Sequence, residues 1–113
     1  MPALVGLPLT EEQELLRMTV RDFAQQELLP QAIAIDREAR FPVETFRQLA
    51  DLGLLGLPIP EEYEGAGADT VTTVLVIEEL AKCCGSTALG VAAHTSLCMA
   101  PIWACGTSRR IRR

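Results

Sequence analysis

Aromatic side chains are scarce: Tyr63, Trp103 and three phenylalanines are all that 113 residues carry, while 49% of the chain is apolar. A core built from this composition is aliphatic, and the length suits one domain. Histidine occurs once, as His94, and the four cysteines (Cys83, Cys84, Cys98 and Cys105) include no CxxC pair. These shortages exclude the ligand sets of structural zinc, so no metal site is expected. Cys98 and Cys105 are seven apart, on one helix face but too distant along its axis to bond. All four read as reduced thiols, small apolar fillers in a reducing compartment.

Positive charge is short as well. Lys and Arg number 10 against 15 Asp and Glu, a net charge of −5, and Arg109, Arg110, Arg112 and Arg113 supply four of the ten. The body that remains is strongly acidic. It lacks the phosphate-neutralising face that a nucleic-acid partner requires. Residues 109–113 read as a disordered or divergent basic tail outside a folded domain of residues 1–108. At the other end, MPALVGLPLT has no basic stretch and two prolines, so it is no signal peptide.

Strand alternation is also missing, and the expected fold class is all-α. Thr10-Glu11-Glu12-Gln13 forms a capping box with acids on the positive helix end. Leu16, Val20, Phe23 and Glu27 follow at helical spacing, widened by Leu15, Met18 and Leu28. The pattern resumes past Pro30 in Ile33, Ile35 and Ala39. One long helix over about 11–38 is predicted, bent where Pro30 removes a backbone bond. Phe41-Pro42 starts a second helix, with Pro42 as its first residue and Gly53 as its stop. Phe46, Leu49, Ala50, Leu54 and Leu55 lie on its inner face. Asp69 or Thr70 caps a third, with Val74, Leu75, Ile77 and Leu80 inside, and Gly85-Ser86 separates it from a fourth.

That fourth helix has no formally charged side chain from Cys83 to Ser108. A helix apolar on every side belongs inside an assembly or a membrane. Gly85, Ser86, His94, Thr95, Ser96 and Pro101 interrupt the run, which barely reaches the ~20 residues a span needs, so no membrane span is expected. Three amphipathic helices cover only part of a fourth. Something beyond this chain is expected to touch it.

Between helices two and three, residues 53–69 read GLLGLPIPEEYEGAGAD, with four acids, four glycines and two prolines. No lysine follows the glycines, as a phosphate loop requires, and the GxG of Gly65 and Gly67 has no third glycine and no preceding strand. The alternating ligand order of a calcium loop is absent among Glu61, Glu62, Glu64 and Asp69. On spacing alone the stretch is a connector that reverses the chain. Tyr63 anchors it.

The string LADLGLLGLPIPEEYEGAGAD, followed by IEELAKCCGSTALGVAAHTSLCMAPIWACGT, resembles the N-terminal helical domain of the acyl-CoA dehydrogenase family. The likeness rests on Leu-Gly-Leu-Leu-Gly before a Pro-Glu-x-Tyr-x-Gly-x-Gly turn, on Glu-Glu-Leu-Ala, and on a His-x-x-Leu helix ending in Pro-Ile and Gly-Thr. It runs from about Leu9 to Thr107. The resemblance implies an FAD flavoprotein that oxidises an acyl-CoA thioester to the trans-2-enoyl-CoA. The α-proton goes to a glutamate in a C-terminal helical bundle, the β-hydrogen to the flavin, and electrons leave through electron-transfer flavoprotein. It further implies a homo-oligomer, in the cytoplasm or the mitochondrial matrix. Two departures stand out: Tyr63-Glu64-Gly65 replaces the usual Tyr-Gly-Gly, and an arginine tail replaces the next helix. The flavin-binding β-domain and the catalytic glutamate have no counterpart here, so the chain alone is expected to be inactive and to hold no FAD.

The family's fourth helix lines the cavity for the fatty acyl chain. Carried over on the His-x-x-Leu-x-x-x-Pro-Ile pattern, the substrate-binding positions are Leu89, Gly90, Ala93, His94 and Leu97. No catalytic residue is assigned. His94 has no Asp or Glu on its own helix to orient it as a base, and reads as an interface histidine. Trp103 reads as packing. Two competing readings share these residues: a free-standing helical interaction or dimerisation module, and a fragment of a related flavin oxidase or monooxygenase.

Overall fold

The computed structural model describes residues 8–107 and Arg109. The expectations for the first seven residues and for the arginine tail beyond Arg109 lie outside them. Among the described residues six α-helices follow one another: α1 Glu11–Phe23, α2 Ala32–Glu38, α3 Val43–Asp51, α4 Thr70–Cys83, α5 Gly85–Ala93 and α6 Ala100–Cys105. The fold is all-α, with no strand among the described residues.

The capping box forms as written: Gln13 N–H donates to Thr10 Oγ1 at 3.1 Å, and Thr10 N–H donates to Gln13 Oε1 at 2.9 Å. Gln13 Nε2 also donates to Thr72 Oγ1 at 3.2 Å, which ties the starts of α1 and α4 together. From α1 the helical path continues through a π-turn (Ala24–Leu28) and a 3₁₀ turn (Leu29–Gln31) into α2. The expected long helix is there, and these two turns absorb Pro30. A proline ring crowds the carbonyl four residues back, and a widened turn upstream relieves it. The same device recurs before Pro101, where a π-turn spans His94–Met99 between α5 and α6.

Two starts differ by one residue from expectation. Pro42 is the N-cap of α3, and Val43 is its first residue. Cys84, extended at φ −155° and ψ 102°, caps α5, so Gly85 is already helical. The apolar stripe of the first helix is also narrower than its periodicity suggests. Leu15, Met18 and Ile33 are 65%, 54% and 72% exposed, and on α4 Val74 is 47% exposed. Helix α1 packs mainly on α4, and the covered line is Val20, Ala24 and Leu28, with Ile35 farther along on α2.

The core joins that line to Leu49, Leu54, Leu57, Val76, Leu80, Ala88 and Val91. Glu79 is buried in it at 2% exposure. It receives Arg21 through both oxygens at 3.2 Å and Lys82 at 3.1 Å, with Arg17 at 3.7 Å. This carboxylate fastens α4 to α1.

Candidate functional site

The segment Gly85–Cys105 forms one helical path of 21 residues, long and apolar enough by composition to cross a membrane, a property that core helices of soluble proteins share. Its inner side carries Thr87, Ala88, Val91 and Thr95, all buried against the core. The opposite side is bare: Leu89 and Leu97 are 71% and 77% exposed, and Ile102 and Trp103 44% each. Most leucines in a small domain are covered. Two this bare, on a helix without charge, make a continuous apolar strip.

Of the carried-over positions, Leu89, His94 and Leu97 are exposed, while Gly90 and Ala93 are half-buried. Leu89 and Ala93 stand four residues apart on the outward face, and Gly90 stands at its edge, three residues before Ala93. A Cβ on Gly90 would lie 2.7 Å from Phe46 Cζ, far inside contact distance. The Phe46 ring therefore occupies the notch that this glycine leaves. It stacks on Phe41, with centroids 4.8 Å apart and planes 19° from parallel. Sequence reasoning placed Phe46 in the core and missed this contact. The available signal was a glycine inside a helix, which commonly marks a close approach.

The connector of residues 53–69 buttresses the helix from below. Ala66, Gly67 and Ala68 N–H groups donate to the carbonyls of Gly56, Ile59 and Leu57 at 3.1, 2.9 and 2.7 Å. The chain thus doubles back over buried Leu54, Leu57 and Ile59. Gly65 packs directly on the Ile59 carbonyl, where any Cβ would collide. Thr95 Oγ1 donates to Leu55 O at 3.4 Å, joining connector to helix. Tyr63 sits half-buried on the 3₁₀ turn Glu61–Tyr63.

At the start of α5, the Cys84 thiol meets the hydroxyls of the first turn. Thr87 Oγ1 donates to its sulfur at 3.1 Å, and Ser86 lies at 3.5 Å. Burial pushes this thiol up, but hydrogen bonds from Ser86 and Thr87 outweigh it and leave the pKa lowered. Burial raises neighbouring Cys83. Cys98 and Cys105 are exposed.

A cavity of about 550 Å³ opens elsewhere, between the start of α1, the end of α3 and residues 66–69. Its wall includes Gln13, Leu16, Leu54 and Leu57, with the carboxylates of Glu12 and Asp69 and no Lys or Arg among the described residues. A cofactor with a diphosphate needs cations or converging N–H donors. Backbone bonding to Thr72 holds Asp69 below the usual carboxylate range, so this wall is anionic. The described wall supplies no cation for a diphosphate, so nothing in it marks a flavin site, and no step through the flavin is derived for this chain.

The family model described as "Acyl-CoA dehydrogenase, N-terminal domain" matches residues 10–113. The chain is 45% identical over 106 residues to a probable acyl-CoA dehydrogenase, YngJ, of Bacillus subtilis, covering 94% of this chain and 28% of that protein. It is 44% identical to a short-chain specific acyl-CoA dehydrogenase of Clostridium acetobutylicum, covering 90% of this chain and 27% of that one. Among solved structures, the glutaryl-coenzyme A dehydrogenase glutaryl-CoA complex superposes with a TM-score of 0.89 at 29% identity, over 96% of this chain and 28% of the other. The chain spans little more than a quarter of the length of these proteins.

Proposed function

This chain belongs to the acyl-CoA dehydrogenase family through its N-terminal domain, and from that premise we propose that its uncharged helix forms one wall of an acyl-binding cavity. The observation that carries the reading is the outward strip of exposed Leu89 and Leu97 with half-buried Ala93 between them, on a helix whose inner side, Thr87, Ala88, Val91 and Thr95, is buried against its own domain. A saturated acyl chain offers no hydrogen bonds, so an apolar wall without ionised groups is what recognises it. His94 borders the strip and contributes surface rather than proton transfer. The reaction itself is FAD-dependent oxidation of acyl-CoA to the trans-2-enoyl-CoA. Its flavin and its proton-abstracting glutamate come from the remaining length seen in the relatives. Acyl-CoA and electron-transfer flavoprotein are the partners of that assembled homo-oligomer, in the cytoplasm or mitochondrial matrix.

The geometry also decides which position tests the reading. Gly90→Leu would strike Phe46, so a loss there would confound packing with binding. Ala93→Leu instead adds its branches on the half-open outward face. In the full-length flavoprotein, overpacking of about 1–3 kcal/mol predicts roughly ten- to hundredfold lower kcat/KM for long acyl-CoAs. Short acyl chains that end before the obstruction should lose much less. An equal loss at every chain length, with flavin content unchanged, would mean that the strip only packs against protein.

A further inference from the structure

The acyl strip has an edge, and a side chain from another helix stands there. Gly90 and Ala93 are adjacent on the helix surface, and the half-buried Phe46 ring fills the space where a side chain at 90 would project. Phe41, 66% exposed, backs the ring by stacking. Phe46 also packs on the core cluster, so the ring is held on several sides and cannot simply swing away. We infer that Phe46 is a specificity-determining residue: its ring closes the flank of the acyl strip beside Gly90 and excludes branched or ring-bearing acyl groups at that level. Phe41 is a positioning residue that keeps the ring in place. This inference rests on the acyl-cavity reading above.

The physical argument is one of volume. A straight acyl chain lying along Leu89, Ala93 and Leu97 needs no room at the flank. A methyl branch or a ring does, and a stacked phenylalanine is a stiff neighbour. Removing the ring opens a notch bounded by a glycine on the other side, which is the widest opening that two positions can make. Discrimination worth one or two carbon atoms in an apolar pocket is about 10- to 200-fold.

The test compares Phe46→Ala and Phe46→Leu with the parent in the full-length flavoprotein. The measured quantity is the ratio of kcat/KM for methyl-branched or phenyl-bearing acyl-CoAs to that for straight acyl-CoAs of equal backbone length. Phe46→Ala should raise this ratio about tenfold or more, and Phe46→Leu should move it the same way by less. Phe41→Ala should shift it in that direction too, without touching the strip. If the ratio stays constant while Ala93→Leu keeps its chain-length effect, the Phe46 assignment is wrong and the acyl cavity stands. If Ala93→Leu also loses its chain-length effect, both fall. Should Phe46→Ala fail to fold, Phe46→Leu decides, since it preserves most of the packed volume, and an unchanged ratio in that variant overturns the assignment.

Discussion

At the scale of single residues, Glu79 carries more of the structure than its type suggests. Burial pushes its carboxyl up, yet hydrogen bonds from Arg21 and Lys82 outweigh this and leave its pKa lowered. A depressed folded value means that the stabilisation is complete above the ordinary glutamate range of about 4.3 and is lost as pH falls through the folded value. Glu79→Gln keeps the shape and removes the charge, at a cost of about 2 kcal/mol near neutral pH, the scale of hydrogen bonds to charged groups. Urea denaturation of parent and variant should show that gap at pH 7 and a smaller one below pH 4. A gap that persists unchanged in acid would show that the charge is not what matters. None of this was visible in the sequence beyond the Glu-Glu-Leu-Ala string. Periodicity names a face, but Glu79 lies beside Leu75, Val76 and Leu80 because Arg17 and Arg21 reach it from α1. That pairing crosses nearly 60 residues. For the same reason Leu15, Met18 and Ile33 read as core and are exposed: a neighbour, not a period, decides burial.

At the scale of elements, sequence signals located the helices to within a residue or two, because caps are local chemistry. The box at Thr10, Asp69 Oδ1 accepting from Thr72 N–H at 2.8 Å, and Gly53 all act where they were read. Two ends share one design. Gly53 and Leu54 N–H groups donate to Ala50 and Leu49 carbonyls, and Ala39 and Arg40 donate to Asp36 and Ile35 in the same pattern. Gly53 adopts φ +77° at no steric cost, whereas Ala39 holds φ +53° with a Cβ. Ala39→Gly should therefore stabilise the domain by about 0.5–1 kcal/mol, and Gly53→Ala should destabilise it by a similar amount. No atom lies within 4 Å of a Cβ built on Gly53, so its cost is purely conformational. Thermal melts that move in opposite directions by a few degrees check the pair, and shifts of the same sign would refute the shared design. The connector was harder to read. Its glycines suggested freedom, but Gly65 is required by close approach to the Ile59 carbonyl. Gly65→Ala should thus cost about 1–3 kcal/mol, as overpacking does, visible in the urea midpoint. The π-turns had no sequence signature except a proline downstream.

At the scale of the whole molecule, the shape explains why an apolar helix stays bare. The described chain extends 40 × 38 × 20 Å with a radius of gyration of 14.6 Å, against about 13 Å for a rounded domain of this length. A slab about two helices thick buries one side of each helix and leaves the other to solvent. The fourth helix, with no charge to hydrate it, turns Leu89 and Leu97 outward on such a face. The carried-over site residues were placed from a motif, and the slab accounts for three of them being exposed. What the sequence could not show is which side of Gly90 is occupied, because Phe46 arrives from a separate helix. An exposed strip of this kind should drive association when the 113-residue chain is alone in solution. Covering each leucine is worth about 1.5–3 kcal/mol, so the two together change an association constant by at least about a hundredfold. Sedimentation velocity over a concentration series should show the parent chain shifting to larger species. Leu89→Glu with Leu97→Glu should shift it back to a monomer while the helical circular dichroism is preserved. Neither residue is buried, so the double variant should not lose fold stability. A parent chain that stays monomeric at hundreds of micromolar, or a double variant that associates equally, would show that this face does not need cover. The strip would then lose its claim to be the wall of a cavity.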